Sequence, residues 1–447
     1  MSATADNSTR VRSLAISAGD RERLKAARIA SLTLLVCLAI VYSGGERYFY
    51  LISHTLEYGF YMLMVACVLL IVGTSGIRTG AILCALPYVA FVVAYTVWGL
   101  IVSPVQSQVA ADAAKAALLN VFLFAGVLAA VRDRWALATL AFLIQLAALG
   151  NVALLLWETA DHTVTRSLAN FGQTVYDIVE RPGGLWVQPN DAAVAFLFAS
   201  LLSFWARGPR AIIWLARLGA AVAIFLTASR TGMYPLILCS ALFGVMALMT
   251  SRVDRRLWIV VLGLGGAAAV LIGAAFLFAE GPLVATWLAT NYDLTRFLDL
   301  GQSLRAASDP SRTDSARVWL AKAIGGPWQG AGIYSFQGSL TLQGAHDMYI
   351  MVWGETSIAS LVAYVGVLGF GLLRSLRRAI PTRDRVSLVT MWAVYLAIGL
   401  STHNQFTSVV GITVVALLYC LPEVLSERDP GSLADKALGR PGLSQFA

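Results

Sequence analysis

Charge is scarce in this sequence. Lys, Arg, Asp and Glu make up 13% of its 447 residues, while 58% are hydrophobic. Soluble domains carry about 25% charged and about 45–50% apolar residues. With a mean hydropathy of +0.71, the chain is therefore excluded from the ordinary soluble class and falls among polytopic membrane proteins. Cysteine is sparse too. Cys37, Cys67, Cys84, Cys239 and Cys420 each sit inside an apolar run, with no CxxC or Cys/His spacing. That excludes a zinc ribbon or a disulfide framework and leaves five small hydrophobes. There is no Walker motif, no GxGxxG after a strand, and no DxD or carboxylate cluster for a catalytic metal. No cytoplasmic segment is long enough to bind a nucleotide. Ionisable residues in mid-span are scarce, which argues against a proton-coupled pump; Asp191 and Glu355 lie near span ends. The formal net charge of +8 sits mainly in short loops between apolar runs, so nucleic-acid binding is rejected.

What is present is a succession of apolar runs. A window of about 19 residues finds roughly twelve: 27–44, 56–73, 80–102, 114–131, 135–157, 191–206, 212–229, 232–250, 257–279, 349–374, 387–401 and 406–423. Inside lipid the backbone must satisfy its own hydrogen bonds, so these runs predict helices. The fold expected is an all-α membrane bundle of about twelve spans. A polar, basic tail at 1–28 precedes an uncleaved first span, since no small-residue cleavage site follows the first run. Another polar tail occupies 424–447, leaving a transmembrane domain at 29–423.

Arginine sets the orientation. With the N-terminus inside, the inner loops hold Arg78, then Arg132 and Arg134, then Arg207 and Arg210. Arg252, Arg255 and Arg256 follow, and then Arg374, Arg377, Arg378, Arg383 and Arg385. The short outer loops hold almost no Lys or Arg. This positive-inside pattern predicts that both termini are cytoplasmic. Trp135, Trp157, Trp214 and Trp258 lie near span ends, as interfacial anchors do.

Two outer segments exceed a turn, 158–190 and 280–347. From the second into the apolar run after it extends a polar, glycine-rich stretch, DSARVWLAKAIGGPWQGAGIYSFQGSLTLQGAHDMYIMVWGE from Asp314 to Glu355. Thr313 or Asp314 is placed to cap a helix running to Ala323, stopped by Gly325-Gly326-Pro327. Pro282 to Asn291 reads as a short amphipathic segment on the membrane surface. A long polar loop on an apolar scaffold is where function concentrates.

The candidate residues follow from that position. All four histidines, His54, His162, His346 and His403, fall on the expected outer side. His346 follows Gly344-Ala345 at the start of the tenth run. A histidine there can take a proton near neutral pH, or simply sit at the interface. Arg230, in LTASRTGMYPL, is an outer-side arginine against the prevailing bias. Its guanidinium fork suits phosphate oxygens, though snorkelling towards headgroups is the competing explanation. Arg317 is a loop arginine. Arg181, in ERPGGLWVQPND, precedes a Gly-Gly turn, and that segment is a candidate to re-enter the membrane with Asn190 as a helix cap.

Three segments together resemble the bacterial O-antigen ligase and O-antigen polymerase family of integral membrane glycosyltransferases. GLWVQPNDAA (184–193) resembles its Pro-Asn helix start. LTASRTGMYPLIL (226–238) resembles its Thr-x-Ser-Arg-Gly junction. ARVWLAKAIGGPWQGAGIYSF followed by HDMYIMVWGE resembles its Arg-x-x-x-(Trp)…Pro…Gly-x-Gly loop and its His-Asn-x-x-Leu…Glu motif. The resemblance covers 184–373, with the large loop at 280–347. Asp347 stands where the family commonly has asparagine, Thr231 precedes Gly232, and Ser357 and Ser360 replace glycines.

The resemblance implies an inverting, metal-independent glycosyltransferase of the bacterial inner membrane that needs no cofactor. Its donor is a glycan on undecaprenyl diphosphate, presented at the periplasmic face beneath a helical loop that lids a lateral cavity. It assigns diphosphate binding to Arg230 and Arg317, with Arg181 as a further candidate, and the general base to His346. Asn190, Asp347, Tyr349 and Glu355 become supporting residues. Polymerase of O-antigen or exopolysaccharide units and ligase onto lipid A-core share this site and differ in the glycan or lipid-linked acceptor. A chain-length regulator and a flippase are the expected partners beside the bilayer. A transporter for the same lipid-linked glycan is the reading from another class, but no inverted repeat or broken-helix pair supports it.

Overall fold

The computed structural model describes residues 18–75, 79–102, 107–160, 183–186, 189–227, 310–336, 338–339, 342–343, 345, 347–400, 405–406 and 408–426. Among them the fold is helical, apart from an antiparallel pairing of two residues with two, Gly338–Ser339 with Leu342–Gln343. In chain order the helices are α1 (Ala18–Tyr42), α2 (Glu46–Ile52), α3 (His54–Ser75), α4 (Thr79–Val102), α5 (Ser107–Ala130) and α6 (Arg134–Ala160). After a 3₁₀ turn at Gly184–Trp186 come α7 (Pro189–Leu202), α8 (Arg210–Leu226), α9 (Pro310–Gly325), α10 (Met348–Glu355), α11 (Ile358–Ser375), α12 (Thr382–Gly399) and α13 (Val409–Ser426).

Seven of these, α1, α3, α4, α5, α6, α11 and α13, are long and apolar enough to cross a membrane. The runs at 232–250 and 257–279 lie outside the described residues. The runs at 191–206 and 212–229 fold as α7, 14 residues long, and α8, 17 residues long. At 1.5 Å per residue α7 covers about 21 Å, less than the roughly 30 Å hydrocarbon core. α12 has the length, but it opens with Arg383, Asp384 and Arg385. The apolar run at 349–374 is not one helix. It breaks at Thr356-Ser357, where the Ser357 hydroxyl accepts from the Ser360 amide at 3.1 Å and caps α11. Hydropathy misses this break, because a capping serine hardly lowers a window average.

Burial separates centre from periphery. Within its spanning window α13 is 83% buried, whereas α3 is 17% buried. Around α13, Trp392, Tyr395 and Tyr419 pack edge to face, and Tyr88 stacks on Phe124 at 5.1 Å. Gly371 makes room for this cluster, since a Cβ there would lie 2.4 Å from the Trp392 ring. α3 and α4 turn Tyr58, Met62, Leu69, Leu83, Leu86 and Val97 outward. An exposed apolar belt of that kind is suited to lipid and not to water.

Several described basic helix ends gather at one end of the bundle. Arg134, opening α6, pairs with Asp384 at the start of α12 (3.1 Å) and donates to the Leu425 carbonyl at the end of α13 (2.8 Å). Glu423 binds Arg374 and, at 3.1 Å, Arg377, both at the end of α11. It also lies beside Gly80 at the start of α4. The opposite end of α4 meets the polar loop: the Trp98 indole donates to the Gln329 carbonyl (3.1 Å) and the Thr356 carbonyl (3.2 Å). Among the described residues, Arg134, Arg374 and Arg377 thus share one end, and the loop at 327–336 lies at the other.

Candidate functional site

The loop from Pro327 to Phe336 is built around Glu355. Its glycines answer a backbone requirement. Gly330 and Gly332 have φ of 89° and 93°, a region open to glycine and strained for other residues. A Cβ on Gly330 would also sit 2.5 Å from the Glu355 carbonyl oxygen. So placed, Ala331 donates to the Gly354 carbonyl (2.8 Å), Gly332 to the Glu355 carbonyl (2.9 Å) and Ile333 to the Gly99 carbonyl on α4 (3.2 Å). Tyr334 also takes a positive φ, 63°, which turns the chain back towards α10.

The Glu355 side chain closes the arrangement. It is fully buried. The Tyr95 hydroxyl on α4 donates to it, as do the Phe336 amide at 3.3 Å and the Tyr334 amide. Burial pushes the carboxyl up to about 7, against the lowering effect of these donors. One acidic side chain therefore fastens loop, α4 and α10 together. Beneath it lies a cavity of about 30 Å³, between Tyr95 and Thr96 of α4, Ala113, Ala116 and Asn120 of α5, and Tyr334. That is room for about two waters. The expected lateral cavity for a glycan donor is not this space.

The start of α10 is as firmly set. Asp347 is its N-cap, and its carboxylate accepts from the Tyr349 amide (2.8 Å) and the Ile350 amide (3.0 Å). Burial raises the Asp347 carboxyl while the two amide bonds lower it, burial being the larger effect. A cap needs one side-chain oxygen, which aspartate and asparagine supply about equally. An asparagine at this position would serve the same structural task. Tyr349 donates to the Leu396 carbonyl on α12 at 3.0 Å, and its ring borders Gly399. Asp347 thus caps this eight-residue helix, while Tyr349 and Glu355 within it fix one flank and its far end.

Arg317 is exposed on α9, which packs on α10. The expected capping by Thr313 or Asp314 is corrected: α9 starts earlier, at Pro310, and both residues fall in its first turns. Proline is favoured at a first helical position because its missing N–H has no intrahelical partner. The stop at Gly325 is as the Gly-Gly-Pro signal predicts. α9 is held by Trp319, 3% exposed, whose ring lies 4.9 Å from that of Phe336. The Lys322 ammonium covers both rings at 4.4 and 5.1 Å. The helix carrying Arg317 thus rests on the loop that Glu355 locks.

Asn190 differs from its expected role. α7 begins at Pro189, so Asn190 is the second helical residue and not the cap. The turn before it does fold inward: Trp186 is buried, donates to the Tyr42 carbonyl (2.9 Å) and packs edge to face on Phe196. Glu158 receives the Gly183 and Gly184 amides at 3.1 and 2.9 Å. His346, Arg230, Arg181 and His403 lie outside the described residues. Tyr95 is the residue the sequence reading missed. It stands in an apolar run 260 positions from Glu355, with no local signal to mark it. Neither a scan against protein-family models nor a search of curated proteins finds a match for this chain.

Proposed function

We propose that this protein is an integral membrane glycosyltransferase of the O-antigen polymerase and ligase type. It transfers glycan from undecaprenyl diphosphate to a sugar hydroxyl at the periplasmic face of a bacterial inner membrane, with both termini cytoplasmic. The observation that supports this reading best is the construction of 317–355. Among the described residues, 317–336 and 347–355, which resemble parts of the family motifs, pack together at the end of the bundle remote from Arg134, Arg374 and Arg377.

In this reading Arg230 and Arg317, with Arg181 a further candidate, bind the diphosphate and stabilise the charge that develops as it leaves. His346 accepts the proton of the acceptor hydroxyl. A bond forms from the acceptor oxygen to the anomeric carbon, and the bond from that carbon to the phosphate oxygen breaks. The electron pair leaves with the diphosphate, and one displacement inverts the configuration. Diphosphate is a good leaving group, so the reading requires neither a general acid nor a metal. Asp347 and Glu355 act by positioning: one caps the helix that follows His346, and the other holds the loop against it.

We favour the polymerase of repeat units; the ligase onto lipid A-core shares the site and differs in acceptor. The test is glycan transfer by purified protein in nanodiscs, with chelator and the host's lipid-linked repeat unit. A ladder of longer lipid-linked glycans supports the polymerase. Product only after lipid A-core is added replaces it with the ligase. Movement of the donor across the bilayer with no transfer under either condition overturns the enzyme reading in favour of a transporter.

A further inference from the structure

At the end of the bundle that holds Arg134, a groove of about 690 Å³ opens between the middle of α1, the ends of α3 and α5 and the start of α6. Ligand sites span about 300–1,000 Å³, so the groove is of binding size. Its walls are apolar, with Leu32, Ile71 and Ala130 among them, while Arg28 and Arg132 stand on its lining. Trp135 also lines it and is 55% exposed, as an indole at a membrane interface would be. The one carboxylate on the wall is Asp133, and its Oδ1 accepts the Ala136 amide at 2.8 Å as the cap of α6. Among the described lining residues, two guanidinium groups thus stand with one carboxylate.

We propose that this groove binds one anionic phospholipid, its phosphate held by Arg28 and Arg132 and its acyl chains along the apolar wall. Arginine forks match phosphate oxygens, and basic pockets between helices at a cytoplasmic face recognise anionic headgroups. A free phosphate compound would use the arginines but leave the apolar wall empty, so a lipid is the occupant that satisfies both. The inference is independent of the glycan-transfer reading, which concerns the other end of the bundle, and either can fail without the other.

Native mass spectrometry of delipidated full-length protein, titrated with phosphatidylglycerol or phosphatidylcholine of the same chains, is the test. The expected result is one phosphatidylglycerol bound at least about tenfold more tightly than phosphatidylcholine, a difference of about 1.4 kcal/mol. Arg28→Gln alone, an exposed substitution that leaves the fold intact, should weaken that preference. Arg28→Gln with Arg132→Gln should abolish it, and Arg378→Gln, an exposed arginine of the same end outside the groove lining, should leave it unchanged. Equal binding of the two lipids, or a preference that survives both Arg28→Gln and the double variant, overturns the proposal. So does displacement of the lipid by millimolar glycerol phosphate, which would reveal a site for free phosphate.

Discussion

Glu355 is where a single proton matters. In the folded protein its carboxyl keeps a proton up to about pH 7, whereas an ordinary glutamate releases it near 4.5. Between those values the folded state binds more protons than the unfolded state, so stability declines as pH rises from about 4.5 to about 7 and is level on either side. Glu355→Gln should remove that slope, as read by thermal unfolding in detergent at a series of pH values. Glu355→Ala should cost roughly 3 kcal/mol at pH 5, because buried amides and the Tyr95 hydroxyl lose their acceptor. Asp347→Asn should change stability by less than about 0.5 kcal/mol and Asp347→Ala should cost about 1 kcal/mol, since only the alanine deletes the cap. The sequence displayed Glu355 as the acidic end of a motif. It did not display Tyr95, because a tyrosine in an apolar run gives no sign of which distant residue it will meet.

Among the elements, α9 depends on one anchor. Truncating a buried tryptophan costs about 3–5 kcal/mol. Trp319→Ala should therefore free α9 from the Phe336 loop before the bundle itself unfolds. Hydrogen exchange should show amides of 316–325 losing protection while those of α13 keep theirs; equal loss in both would mean that α9 and the bundle are one cooperative unit. Gly330→Ala should be equally disruptive to the loop, because it combines a positive φ with a clash on the Glu355 carbonyl. Helix α9 and its glycine stop were legible in the sequence. The division of the 349–374 run into α10 and α11 was not. It rests on a serine hydroxyl, a backbone carbonyl held by Trp98, and a loop packed into the gap, all of which a hydropathy window averages away.

For the whole molecule, the distribution of arginine was the most readable feature. The residues grouped by the positive-inside pattern, Arg134, Arg374, Arg377, Arg383 and Arg385, fall at neighbouring helix ends in the folded chain. Their partners Asp384 and Glu423 were less apparent, since pairing across α6, α11, α12 and α13 needs the packing of the bundle. The number of spans was legible only in part. Length and hydropathy marked the seven long helices, but they could not foresee that α7 would stop at 14 residues or that α12 would begin with a charged turn.

We propose that this protein carries out glycan transfer with His346 as base and Arg230 on the diphosphate. The most direct measurement is the initial rate of transfer from undecaprenyl-diphosphate-linked glycan by the native protein, His346→Ala and Arg230→Ala in one lipid system. A positioned general base contributes about 10²–10⁴-fold, so His346→Ala should lose at least about a hundredfold in rate while its unfolding temperature stays near native. Arg230→Ala should lose a comparable factor. Full activity of His346→Ala would contradict the account of the base and direct attention to His403; full activity of both variants would contradict the site itself.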